Sequence, residues 1–145
     1  MIMQFIDLSL PSGTLWANAN SEPCTNSGMP KKHIPTREQW TELFRHCSQE
    51  SIETKKGTVI RLTGKNGNSI ELPLEGYMVP VYNSNPSDEE KDRPRLYRCE
   101  KFGKGFYCTC DRKNWNRVIF SFNEDKYESY ASENFFKFSV RTVKQ

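Results

Sequence analysis

The chain has 145 residues, with 21 Lys and Arg against 18 Asp and Glu and a net charge of +3. That balance is too even to specify a nucleic-acid partner, and no apolar run approaches the ~18 residues of a membrane-spanning helix. The length suits one domain with one core, residues 1–145, in which a modest 35% of apolar residues includes 12% aromatics, each burying a large area.

The opening, Met1 to Gly13, lacks a basic leader, and Asp7 interrupts its short apolar run. It reads as part of the fold and not as an export signal. Phe5 to Leu10 is predicted as a first strand, closed by the turn cluster Pro11-Ser12-Gly13, with Thr14 to Ala17 continuing extended. Residues 18–33 are polar, carry Pro and Gly, and read as a surface loop. Thr36 followed by Gln39 makes a capping box. Trp40, Leu43, Phe44 and Cys47 then share one stripe at helical spacing, and Arg45 and His46 suit the helix C-terminus.

Val59–Thr63 and Ser69–Leu72 read as a hairpin whose register can be argued. A three-residue loop, Lys65-Asn66-Gly67, opposes Leu62 to Ile70 and Ile60 to Leu72, so the apolar side chains share a face and Gly67 takes the left-handed position. A two-residue loop would oppose Ile70 to Thr63 and waste that face. Residues 83–95 contain no apolar side chain and read as an exposed loop. The C-terminal third alternates. Phe106, Cys108 and Cys110 share one strand face and Tyr107 and Thr109 the other; Val118, Phe120 and Phe122 repeat the pattern. Asn123 to Lys126 is a turn, Tyr127 to Ala131 a return strand, and Phe136, Phe138 and Val140 alternate with Lys137, Ser139 and Arg141.

Four separated phrases carry a family resemblance: FIDLSLPSGTLWA (Phe5 to Ala17), IPTREQWTELFRHC (Ile34 to Cys47), GKNGNSIELPLEGY (Gly64 to Tyr77) and FKFSVRTV (Phe136 to Val143). In this order they resemble the Fibrobacter succinogenes major paralogous (FISUMP) domain family. The resemblance implies an α+β, C-type-lectin-like fold: one main helix packed on twisted antiparallel strands, with paired termini. It implies a non-enzymatic recognition module of adhesin-like character, from a bacterium or phage, without a cofactor. Members are usually exported, and this chain differs in lacking a leader. Cys108 also stands where the family has a Trp.

In related proteins the C-terminal surface is variable and rich in Asn, Tyr and Ser. The corresponding residues here are Asn114, Trp115, Asn116, Tyr127, Tyr130 and Asn134, expected to contact a protein or glycan ligand. Ordinary strand and turn decoration is the competing reading. A structural component of a phage virion or other assembly, made in the cytoplasm and held by protein–protein contacts, is the first alternative function. A small metal-binding or redox protein built on Cys108 and Cys110 is the second. The one-residue spacer is unlike the usual zinc spacing, and five cysteines at uneven intervals (Cys24, Cys47, Cys99, Cys108, Cys110) read as free thiols. Calcium-dependent sugar binding is disfavoured, because Arg117 follows Trp115-Asn116 where a carboxylate ligand would stand. Neither His33 nor His46 has a nucleophile marked as its partner, so no catalytic residue is expected.

Overall fold

A computed structural model of the protein describes residues 3–24, 33–82, 94, 96–132 and 136–145. In chain order the elements are β1 (Phe5–Asp7), β2 (Leu15–Ala17), β3 (Ser21–Cys24), α1 (Arg37–His46), β4 (Ser48–Thr54), β5 (Gly57–Thr63) and β6 (Ser69–Pro73). They continue with β7 (Tyr77–Val81), β8 (Leu96–Glu100), β9 (Gly105–Lys113), β10 (Asn116–Phe122), β11 (Tyr127–Ser132), β12 (Phe138–Val140) and β13 (Val143–Lys144). The class is α+β, with strand predominating over one helix. No helix among the described residues is long and apolar enough to cross a membrane.

The strands form four sheets, ordered β1-β2-β13, β11-β10-β9-β12-β3, β4-β5-β6 and β7-β8. The first sheet pairs the chain's two ends, with Val143 opposite Trp16. The β5–β6 hairpin has the three-residue loop and the register expected, Ile60 opposite Leu72 and Leu62 opposite Ile70. Gly67 stands at φ 88°, the left-handed value its loop requires.

Three parts of the sequence reading are corrected. The segment read as a loop over residues 18–33 contains β3, an edge strand in which Pro23 needs no inward partner. The first strand stops at Asp7, because Ser9 turns left-handed at φ 56° and its amide bonds the Asp7 carboxylate. Arg141, expected to face solvent as Lys137 does, is 1% exposed. The loop expected over residues 83–95 lies, apart from Pro94, outside the described residues.

Helix α1 forms as its caps dictate. The Gln39 amide donates to Thr36 Oγ1 at 3.0 Å, and the Thr36 amide donates to Gln39 Oε1 at 2.8 Å. Trp40, Leu43 and Phe44 are buried against the five-stranded sheet. There Trp40 meets Trp16 edge-on at 4.7 Å and stacks on Phe120 at 5.4 Å. The helix side of this sheet belongs to the main core, with Tyr107, Phe120 and Phe122. The other side carries a second cluster of Ile34, Phe106, Cys108, Ile119, Phe138 and Val140.

The four phrases meet in space. The Asn66 and Asn68 amides both donate to the Asp7 carbonyl, at 2.8 and 2.9 Å. A Cβ at Gly64 would collide with the Leu8 carbonyl. Ser12 donates through its amide and hydroxyl to the two oxygens of Glu42 on α1. Arg141 reaches the Ala17 carbonyl at 2.9 Å and the Glu71 carbonyl at 2.6 Å. Each phrase thus supplies a backbone or side-chain group that another phrase satisfies, which buried polar groups require.

Candidate functional site

Strands β9 and β10 are joined by a two-residue loop, with Lys113 opposite Asn116. Both loop residues are left-handed, Asn114 at φ 50° and Trp115 at φ 74°. Consecutive left-handed residues suit the right-handed twist of a hairpin, and Asn-Gly is the sequence that takes them with least strain. Asn fits the first position. Trp at the second does not, since a side chain there costs roughly 1–2 kcal/mol relative to glycine. Nor does burial compensate, for the Trp115 side chain is 89% exposed. Its carbonyl accepts from Arg112 Nη1 at 3.2 Å, so Arg112 and Lys113 make the tip basic. An indole held strained and fully wet at a rigid tip is a candidate contact residue.

The hairpin is anchored firmly. Three residues of β9, Thr109 to Asp111, bulge opposite Val118, where the pairing shifts register. Thr109 Oγ1 donates to the Val118 carbonyl at 2.7 Å, and Arg117 Nη1 donates to the Thr109 carbonyl at 3.0 Å. Asp111 accepts from the Arg37 amide at the first turn of α1. The bulge therefore fixes both the hairpin and the start of the helix.

The remaining candidates do not join this tip. Tyr127 stands opposite Phe122, at the far end of β10 from the loop. Its ring faces the helix side, 5.5 Å from Phe120 and 5.6 Å from Phe44. Tyr130 is on the other side of the sheet, edge-on to Phe106 at 6.4 Å. Burial pushes its hydroxyl up to about 12, with the nearby Tyr77 and Glu128 adding to the shift. Asn134 lies outside the described residues. Asn114, Trp115 and Asn116 are thus brought together, while Tyr127 and Tyr130 are separated by the thickness of the sheet.

The cysteines take different surroundings. Cys108 is buried in the second cluster, whereas Cys47 belongs to the main core across the sheet. Cys110 is exposed beyond the bulge. Burial, and secondarily the Asp111 carboxylate, raise its thiol pKa, opposite to the depression a reactive thiolate needs. Among the described residues no group of three His, Cys, Asp or Glu is placed to hold a metal ion.

Sequence reasoning missed a polar network under β12. Arg141 Nε donates to Asn20 Oδ1 at 2.7 Å, and Asn20 Nδ2 donates to the Tyr107 hydroxyl at 2.9 Å. Tyr107 in turn donates to the Pro73 carbonyl at 2.8 Å. Burial lowers the Arg141 pKa and raises that of Tyr107. The signal available in the sequence was an unbroken alternation, Lys137-Ser139-Arg141, in a chain end that must pair inward. Searches against protein-family models, curated proteins and solved structures find no match to this chain.

Proposed function

We propose that the protein is a non-enzymatic recognition module of C-type-lectin-like, FISUMP type, which binds a protein or glycan through the β9–β10 hairpin tip. The observation that carries this reading is Trp115, 89% exposed at φ 74°. A large aromatic that is strained and also unburied contributes nothing evident to folding, and such positions concentrate at functional sites. Asn114 and Asn116 flank it with adaptable hydrogen-bonding groups, and Arg112 adds positive charge. The capped helix, the paired terminal strands and the interlocking phrases support the lectin-like scaffold behind it.

The test compares Trp115→Gly with the wild type on protein and glycan arrays and in thermal melts. Glycine relieves the left-handed strain, so the variant should melt higher while losing at least ~10-fold in affinity, about 1.4 kcal/mol. Undiminished capture of the wild-type ligands by a folded Trp115→Gly protein would overturn the assignment. Trp115→Phe keeps a ring and should retain part of the binding.

A further inference from the structure

Lys137, Ser139 and Arg141 alternate along one face of the β12 segment, while Phe138 and Val140 join the second cluster on the other. Arg141 is the most buried of the three, Ser139 is 6% exposed, and Lys137 stands toward the surface. Over Ser139 opens a cleft of about 250 Å³, bordered by Asn20, Ser21, Glu75 and Met78.

Two observations point to a polar occupant. Ser139 lines the cleft and is more than nine-tenths buried, yet its hydroxyl bonds no described residue. A buried hydroxyl left without a partner is costly. Asn20 beside it is locked by Arg141 and Tyr107, which take one lone pair and one amide hydrogen. Its second hydrogen and second lone pair remain available in a fixed direction.

Charge narrows the occupant. The Lys137 ammonium lies 4.0 Å over the Tyr97 ring, and the Arg141 guanidinium is committed to Asn20, Ala17 and Glu71. Neither basic group of this row is turned to the cleft, which disfavours a phosphate or carboxylate. Glu75 is exposed, and one solvated carboxylate holds an ammonium weakly. Hydroxyl, amide and carboxylate groups beside the apolar edge of Met78 match a ring that carries many hydroxyls and one apolar face. The volume is slightly below the ~300–1,000 Å³ of typical ligand pockets, so it suits one small ring.

We propose that this cleft binds a single neutral saccharide unit, with Ser139 and Asn20 as its hydrogen-bonding floor. It is separate from the hairpin tip. The Gly76–Gly105 bridge puts it at the start of β9, whereas the tip follows the end of that strand, roughly 25 Å away at ~3.3 Å per residue.

The test is a ¹H–¹⁵N NMR titration of the full chain with free glucose, galactose, mannose and N-acetylglucosamine into the millimolar range, beside an array of glycan chains ending in the same sugars. One sugar should move the Asn20, Ser21, Gly76 and Ser139 amides saturably. Ser139→Ala should weaken binding at least ~5-fold with an unchanged or higher melting temperature, and Ser139→Val should abolish it. Trp115→Gly should bind that sugar as the wild type does, which separates this site from the hairpin reading. A response in both arms supports the site with either source, and a response to chains alone supports it with a glycan terminus as the source. If no sugar moves these amides and no chain is retained, or if Ser139→Ala binds undiminished, the proposal fails.

Discussion

Arg141 is a buried cation with its printed bonds to the Asn20 amide oxygen and to the Ala17 and Glu71 carbonyls, and not to a carboxylate. Its role follows from shape: a planar fork reaches several acceptors on different strands, which an ammonium on a flexible stem cannot do. Removing it leaves those acceptors buried and unsatisfied. Arg141→Met is therefore expected to cost ~3 kcal/mol or more in urea unfolding, with Arg141→Lys recovering little. A loss under 1 kcal/mol would mean that the network relaxes around the gap. Ser121 is the opposite case, fully buried with a hydroxyl that has no partner. Ser121→Ala should raise stability by about 1 kcal/mol, and a fall in melting temperature would count against that view. Neither fate was legible in the sequence. A lone Arg or Ser in an alternating strand reads as its solvent side, and here both sides of the strand are covered.

Where elements are set by local rules, the sequence sufficed. The capping box and the Trp40/Phe44 stripe define α1 within the chain itself, and the apolar register defines the β5–β6 hairpin. Strand β4 was hidden because Ile52 is its one large apolar residue, and an edge strand with two wet faces has no periodicity to read. Strand β3 was hidden by Pro23 for the same positional reason. The second support of α1 was also out of reach, since Asp111 is 74 residues from the Arg37 amide it accepts from. Two groups thus hold the helix start at different amides, Thr36 at Gln39 and Asp111 at Arg37. Thr36→Ala should cost about 1 kcal/mol, and Asp111→Ala a similar amount because it also loosens the bulge. The double variant, followed by urea unfolding, should lose nearly the sum. A loss no larger than either single change would show that the two supports are redundant.

Across the protein, segments far apart in the chain satisfy one another's buried groups, and this dependence has a consequence in alkali. Burial pushes the Cys47 thiol up to about 11, with the Glu42 carboxylate adding to the shift, and the Tyr130 hydroxyl up to about 12; Tyr107 is raised as well. All three are acids whose neutral form the fold prefers. Below the unfolded values, roughly 8.5 for cysteine and 10 for tyrosine, both states hold their protons and stability does not depend on these groups. Between the unfolded and folded values the unfolded chain releases protons that the folded chain keeps. The unfolded state then binds fewer protons, so stability falls with pH. Urea midpoints should be level from neutral pH to about 8.5 and decline from there toward about 12. The slope, read apart from any packing loss, assigns the steps: Cys47→Ala should flatten the earlier part of the decline and Tyr130→Phe the later part. If both variants keep the wild-type slope, the alkaline loss comes from Tyr107 beneath β12, where its hydroxyl joins the Arg141 network to the Pro73 carbonyl.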